Sequence, residues 1–157
     1  MPDIISDGAT KVSWVTTISN TAAPTTAELN AGVALESFIT PDGLSLNTST
    51  DPVDNTSIAS TQSTQVAGRR NDEVEITFKQ QGQGAAPWTT FASRPNGYLV
   101  VRRGVATATA WTAAQKVQVF PAQAGDRQMI APAPNEVEKF SVKCFISGVV
   151  QDAATVA

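Results

Sequence analysis

Residues 72–80, DEVEITFKQ, alternate apolar and polar side chains with a period of two. In an extended chain Val74, Ile76 and Phe78 share one face, and the polar residues between them share the other. A period of two matches a strand that is buried on one face and does not match the 3.6-residue period of a helix. This segment therefore favours a sheet protein over a helical bundle.

Several other segments have strand-like patterns, and one resembles a helix. Strands are predicted over KVSWVTTI (11–18), VALESFI (33–39), GYLVVRRG (97–104), QKVQVFPAQAG (115–125) and NEVEKFSVKCFISGVV (135–150). A helix is predicted within PWTTFASR (87–94), where Pro87 suits the first turn and Trp88 and Phe91 share a face. We expect one mainly β domain over residues 1–157, a β-sandwich or open barrel with one flanking α-helix.

Residues 40–67 are expected to form a long loop or hairpin. From Thr40 to Thr64, 11 of the 25 residues are Ser or Thr, and none is basic. The Pro41-Asp42-Gly43 sequence is a turn signal. A loop of this length inside a compact domain usually has a binding role. Residues 1–9 and 151–157 are expected to be terminal arms.

The residue inventory excludes most catalytic chemistry. The chain has no histidine and a single cysteine, Cys144, so neither a Ser-His-Asp triad nor an internal disulfide is possible. Glu73 and Glu75 share one strand face, but that face is the ordinary solvated side of a half-buried strand. The spacing of the aspartates in residues 40–67 matches no calcium motif. We expect no enzyme, no metal site and no cofactor.

The charge distribution points away from nucleic acids and membranes. The sequence pI is about 4.8, and the basic doublets Arg69-Arg70 and Arg102-Arg103 have no aromatic residues between them, so we interpret them as strand-end charges. Residues 1–67 carry seven acidic residues and one basic residue, whereas residues 68–157 carry seven acidic and ten basic residues. Opposite charge in the two halves suits contacts between copies of the chain. We expect neither a signal peptide nor a membrane span, hence use without export.

Residues 23–37, APTTAELNAGVALES, contain the signals of a very short capped helix. Thr25 and Glu28 have the spacing of a capping box, and Gly32 suits a left-handed stop after the last turn. The helix would span about residues 26–31, which is too short to be stable alone. We therefore predict a rigid structural turn between two strands, formed by Thr25, Glu28 and Gly32.

The segment APTTAELNAGVALESFI, followed by PDGLS and an acidic, Ser/Thr-rich run up to GRR (68–70), resembles the major tail tube proteins of long, non-contractile-tailed (siphovirus-type) bacteriophages, especially those of actinobacterial hosts. The later order of DEVEITFKQ, a helix near PWTTFASR and GYLVVRRG is also similar. The resemblance covers most of the chain and is strongest over residues 10–45 and 68–104. It implies a β-sandwich or half-barrel subunit with a flanking helix.

The resemblance also implies function and partners. Six such subunits close a ring, and rings stack head to tail into the tail tube, a channel around a tape-measure protein through which double-stranded DNA later passes. Tail-terminator and tail-tip proteins would be further partners, with assembly in the host cytoplasm and final location in the virion. Ring–ring contacts are expected at Asp42, Asp51, Asp54, Thr56, Arg69 and Arg70. Glu73, Glu75 and Thr77 are expected to line the lumen.

Alternatives remain open on the sequence alone. A tail-terminator or head–tail joining protein would cap a tube without polymerising. An all-β carbohydrate-binding or cell-surface-binding module would present solvent-facing aromatic residues in a row, yet Trp14, Trp88 and Trp111 are far apart in sequence. An enzyme is the least favoured class.

Overall fold

The structure, a computed structural model that describes residues 1–157, consists of eight β-strands and two short helices. In chain order these are β1 (Thr10–Val15), α1 (Thr26–Asn30), β2 (Val33–Ala34), β3 (Ile39–Asp54), β4 (Gln65–Lys79), α2 (Ala86–Thr90), β5 (Asn96–Arg103), β6 (Lys116–Met129), β7 (Lys139–Ile146) and β8 (Gln151–Thr155). The predicted mainly β fold is confirmed, and each of the two helices has only five residues: α1 lies at the capped helix predicted over 26–31, and α2 overlaps the helix predicted within 87–94.

All strands belong to one antiparallel sheet with the order β2-β1-β5-β6-β7-β4-β3. The strand β8 follows β7 closely and pairs with the part of β6 that precedes the β7 pairing, with Val117 opposite Ala154. Most of segment 151–157, expected to be a terminal arm, therefore lies within the sheet of the subunit, as the strand Gln151–Thr155. Residues 1–9 contain no helix or strand.

One face of the sheet holds the larger hydrophobic core, which we call the first core. It contains the alternate residues predicted for β4, together with apolar residues of β1, β5, β6 and β7. A chain of aromatic rings crosses this core, since Phe91 contacts both Trp14 of β1 and Phe78 of β4 at centroid distances of 5.2 and 5.5 Å. The strands β1 and β4 are not neighbours in the sheet, so the sheet curves around this core.

Segment 35–38 links the two sides of the curved sheet. The Leu35 N–H donates to the Val12 carbonyl at 2.9 Å, and the Lys79 N–H donates to the Phe38 carbonyl at 2.7 Å. The strand predicted over residues 33–39 is consequently interrupted after Ala34, because the chain turns there to cross from β1 to β4. Cys144 lies in the first core, and burial raises its thiol pKa to about 12, in keeping with an inert core residue.

The opposite face carries a second core over β1, β5, β6 and β8 only. Nine buried residues form it, including Leu29 of α1, Trp111 of the β5–β6 connection and Val156 near the C-terminus. The face of β4 and β7 on this side has no such cover, and Glu73, Glu75, Lys143 and Phe145 are exposed there. The sheet is therefore buried on both faces in one half and on one face in the other.

Arg102 organises the connection between β5 and β6, although the sequence pattern predicted a strand-end surface charge. Its side chain is fully buried. The guanidinium donates to the carbonyls of Ala106, Thr109 and Ala110 and to the Gln115 side chain at 2.9–3.1 Å. It also lies over the Trp111 ring, 5.0 Å from the centroid. Burial lowers the pKa of Arg102 from its ordinary value, but an arginine remains charged at neutral pH.

We expect Arg102→Met to destabilise the fold by about 3 kcal/mol, because it removes four hydrogen bonds from a buried site. Urea unfolding followed by tryptophan fluorescence measures the change. The matched control is Arg103→Met at the neighbouring exposed position, where the change should stay within about 0.5 kcal/mol. Equal effects of the two substitutions would contradict the organising role of Arg102.

Candidate functional site

The short helix α1 begins with both hydrogen bonds of a capping box. The Glu28 N–H donates to Thr25 Oγ1 at 3.2 Å, and the Thr25 N–H donates to Glu28 Oε2 at 2.9 Å. The other carboxylate oxygen of Glu28 accepts from the N–H and the hydroxyl of Ser19, each at 2.9 Å. These bonds lower the pKa of Glu28 to about 2. One carboxylate thus ties the chain after β1 to the start of α1.

Gly32 differs from the expectation of a left-handed stop. The cap residue after α1 is Ala31 in a right-handed conformation, and Gly32 does not have a positive φ. A glycine is needed there for a different reason: a Cβ would lie 2.5 Å from Ser13 Oγ and 2.9 Å from the Trp14 carbonyl oxygen. Close approach to β1, rather than backbone handedness, therefore excludes a side chain.

Residues 19–32, which we call the corner, also hold the C-terminus. The Ala22 carbonyl accepts from the Thr155 N–H at 3.1 Å, and the Pro24 carbonyl accepts from the Ala157 N–H at 2.9 Å. Leu29 is buried in the second core beneath these bonds. The corner is therefore part of the cover over one half of the sheet.

The strands β3 and β4 form a long hairpin that extends past the rest of the sheet. Pairing of β4 with β7 ends at Val74 opposite Cys144, whereas pairing of β3 with β4 continues to Asp54 opposite Gln65. Residues 48–71, which we call the hairpin arm, pair with no strand outside the β3–β4 hairpin, and all are exposed. The Ser/Thr/Asp-rich segment 40–67 is thus largely a hairpin rather than an irregular loop.

Side-chain hydrogen bonds order the tip of the arm. Asp54 Oδ1 accepts from the Thr56 N–H at 2.8 Å, and hydrogen bonds from the Thr56 side chain and backbone lower the pKa of Asp54. The Thr64 N–H donates to Thr56 Oγ1 at 2.9 Å across the loop, and the Thr64 hydroxyl donates to Asn55. Ile58 projects from this polar tip, fully exposed. The abundant threonines thus replace a hydrophobic core as the source of local order.

The predicted contact residues fall at two places. Asp51, Asp54, Thr56 and Arg69 lie on the arm, and Asp51 accepts from the Asn71 side chain at 2.8 Å. Asp42 lies at the other end of β3, roughly 40 Å from Asp54 at the rise of an extended strand. Arg69 takes part in none of the five ion pairs of the subunit.

Arg70 behaves differently from Arg69. Its guanidinium pairs with Asp72 on the same strand and with Asp152 of β8. The sequence pattern around Arg70 does not predict the contact with Asp152, because the two residues are 82 positions apart in the chain.

The predicted lumen residues lie together on the uncovered half of the sheet, which we call the open face. Glu73 and Glu75 are exposed and Thr77 is half-buried, opposite the buried Val74, Ile76 and Phe78. The Lys143 ammonium donates to Glu73 Oε1 at 2.8 Å, and each group shifts the other's pKa, lowering that of Glu73 and raising that of Lys143. The open face therefore has paired charges, and it is not purely acidic.

The open face also carries an aromatic residue that the sequence analysis did not select. Phe145 is 57% exposed and stands next to Lys143 on the same face of β7. The alternation in KFSVKCFI is the signal that places it there. No group of three or more acidic or thiol side chains is arranged to hold a metal ion. No helix combines the length and apolar character needed to cross a membrane.

The comparison with family models decides the class of protein. The model for phage tail tube proteins matches residues 1–157. The chain belongs to the phage tail tube protein family. As a tail tube protein it is a structural component of a phage tail and hence of a virion.

A solved structure agrees with this fold. The tail tube chain is similar to a chain of the cryo-EM structure of the anti-feeding prophage (AFP) baseplate, which is six-fold symmetrised. The TM-score is 0.63 at 10% sequence identity, over 96% of each chain. At this identity the likeness concerns the fold alone. No curated protein matches the sequence.

We expect Glu28→Gln to lower the stability of the tail tube subunit by about 1 kcal/mol at pH 7. The folded-state pKa of about 2 lies below the ordinary value of 4.5, so the ionised carboxylate stabilises the fold above pH 4.5. This contribution is lost as the pH falls from 4.5 towards 2. Urea midpoints at pH 7, 4 and 2 should therefore show the two proteins converging.

The control for this prediction is Glu138→Gln, at an exposed carboxylate that takes part in no ion pair of the subunit. Its stability should follow that of the unsubstituted protein across the same pH range. A constant difference between Glu28→Gln and the unsubstituted protein down to pH 2 would contradict a role for the ionised capping carboxylate.

Proposed function

We propose that this protein polymerises as rings of six subunits stacked head to tail, and that the resulting tail tube is the channel for genome delivery. Membership of the tail tube family supports a self-assembling tail component. The six-fold symmetry of the AFP baseplate structure supports the ring number, since a chain of that structure has a similar fold.

The observation that carries the proposal is the hairpin arm. Its two strands pair only with each other beyond the sheet, so both outer edges keep unpaired N–H and C=O groups in the single subunit. A long exposed strand edge is a site for contact with another chain. An arm that gains partners only from a second copy is consistent with assembly rather than with a monomeric binding module.

Head-to-tail stacking requires two different contact surfaces on each subunit. The arm, with Asp51, Asp54, Thr56 and Arg69, is proposed as one ring–ring surface, and the end of β3 near Asp42 as the other. Arg69 lacks an acidic partner within the subunit, and Asp42 is exposed at the opposite end of the hairpin. Attraction between Arg69 of one subunit and Asp42 of the next favours a heterologous contact over a symmetric pair.

The open face is proposed to line the lumen, with Glu73, Glu75 and Thr77 directed towards the axis. Lys143 is neutralised by Glu73, so the face lacks the excess of basic charge that binds phosphates. A channel of this kind lets double-stranded DNA pass transiently and without sequence preference. The open face is exposed to solvent in the subunit, as expected for the wall of a water-filled channel.

The finer assignment follows the sequence resemblance. We assign the protein to a siphovirus-type tail of a phage of actinobacteria, assembled in the host cytoplasm around a tape-measure protein and joined to tail-terminator and tail-tip proteins. A tail-terminator or head–tail joining role is the second candidate. The free edges of the arm favour the tube, because a terminator ends a stack instead of extending it.

The purified protein is expected to form hollow tubes or stacked rings at high concentration, visible by negative-stain electron microscopy with six-fold end views. Single rings that never stack would favour the terminator role.

Shortening the tip by replacing residues 57–62 with Asn-Gly should abolish stacking while leaving the subunit folded. Arg69→Glu should reduce tube length, whereas Arg69→Lys, which keeps the positive charge, should not. Normal tubes from the shortened variant would overturn the proposed contact.

Cysteine labelling is expected to separate the lumen from the outer wall. In a Cys144→Ser background, Glu75→Cys is labelled with biotin-maleimide before assembly and streptavidin is added to the finished tubes. Streptavidin should reach Glu75→Cys only at tube ends. Ala92→Cys, on the side of the sheet where α2 packs, is the matched outer position and should bind streptavidin along the whole length. Binding along the length at position 75 would contradict the lumen assignment.

A further inference from the structure

The hairpin arm leaves the sheet at a defined point next to the C-terminal strand. From Val74 to the end of the strand, β4 has a neighbouring strand on each side, β3 on one and β7 on the other. Beyond Val74 the register with β7 stops, and only β3 accompanies β4. A two-stranded ribbon of this kind twists and bends easily, so its strand pairing alone does not set one direction relative to the sheet.

Arg70 lies at this exit point and joins the arm to another part of the sheet. Its Nε and one terminal nitrogen each donate to a carboxylate oxygen of Asp72 at 2.8 Å. The same guanidinium donates to both carboxylate oxygens of Asp152, one of them at 3.0 Å. Asp152 belongs to β8, which is paired with β6 and not with the arm. This is the one ion pair between the arm and the C-terminal strand.

The two carboxylates that Arg70 bridges differ in burial, since the Asp72 side chain is buried and the Asp152 side chain is half-exposed. The Asp72 side chain is only 6% exposed and also accepts from the Thr48 hydroxyl at 2.7 Å, across the hairpin. Bonds from Arg70 lower the pKa of both aspartates, so all three groups are charged at neutral pH. A planar guanidinium with two carboxylate partners restricts direction more than a lysine ammonium does. The arm is thus held from both of its strands, by Thr48 on β3 and by Arg70 on β4.

We propose that Arg70 is a positioning residue that sets the direction of the hairpin arm by bridging Asp72 and Asp152. The direction of the arm relative to the sheet is then fixed before it meets another subunit, so less conformational entropy is lost when it docks. Arg70 was expected to be a direct ring–ring contact, but its donors are engaged within the subunit. This inference deepens the proposed function, on which the docking step rests.

The test measures the direction of the arm in the dilute, unassembled full-length subunit. Spin labels are attached at Ile58→Cys on the tip and Asn30→Cys on α1, both exposed, in a Cys144→Ser background. The pair reports one narrow distance distribution when the arm is held. In Arg70→Gln the distribution should broaden, and hydrogen exchange at residues 71–74 should rise roughly fivefold, as expected for the loss of a partly exposed ion pair.

A charge exchange separates positioning from a general structural effect. Arg70→Asp alone should broaden the distribution further, because it brings three carboxylates together. Arg70→Asp combined with Asp152→Arg places an arginine between two aspartates and should restore the narrow distribution. Arg69→Asp, the adjacent matched control, should leave it narrow. An unchanged distribution in Arg70→Gln, or no rescue by the exchange, would overturn the inference.

The result is independent of whether tubes form, because the distances are measured in single subunits. Failure of the unsubstituted protein to form tubes would refute the proposed function and leave the positioning role intact. Conversely, tubes from the unsubstituted protein together with an unrestrained arm would refute the positioning role alone. When the unsubstituted protein forms tubes and its arm is held, Arg70→Gln should assemble several-fold more slowly than the unsubstituted protein, as followed by light scattering.

Discussion

The structure depends on a single curved antiparallel sheet whose two halves are covered differently. The strands β1, β4, β5, β6 and β7 contribute alternate side chains to the first core, and segment 35–38 joins the two sides of the curve through backbone hydrogen bonds. Only the half formed by β1, β5, β6 and β8 is buried on its second face as well. Apolar residues on both sides of a strand are stable only where something covers both sides. The other half therefore has to be polar on its second face, and this difference separates the folding part of the subunit from the part available to partners.

Three short segments cover the second face of the half formed by β1, β5, β6 and β8. Each is held in place by hydrogen bonds and not by long secondary-structure elements. The corner is fixed by the carboxylate of Glu28, the β5–β6 connection by the guanidinium of Arg102, and the C-terminus by backbone bonds to Ala22 and Pro24. Five-residue helices and connections of this size cannot hold a conformation by their own propensity. A few charged groups that accept or donate several hydrogen bonds each replace the missing secondary structure.

Hydrogen bonds between polar side chains also order the hairpin arm. It buries no hydrophobic core, yet its register is held by cross-strand pairs such as Thr48 with Asp72 and by the threonine network at the tip. The abundance of Ser, Thr and Asp in residues 40–67, which was compatible with a long loop or a hairpin, reflects an exposed two-stranded ribbon whose side chains bond to each other. In a tail tube protein such a ribbon is suited to contact with other copies, because its edges and most of its side chains remain free of the subunit's own core.

Much of the fold could be predicted from the sequence by itself, since period-two alternation, Pro and Gly turn signals and the Thr25–Glu28 spacing depend on neighbours along the chain. These patterns determined the strand-rich architecture, the core positions of β4 and β7, and the capped corner. Only the tertiary structure decided the rest. The burial of Arg102, the close approach that demands Gly32, and the partnership of Arg70 with Asp152 join positions that are distant in sequence or set by packing. The place of residues 151–155 in the sheet depends likewise on the length of β6 that β7 leaves unpaired. No local pattern encodes such contacts, because they arise from which surfaces the curved sheet brings together.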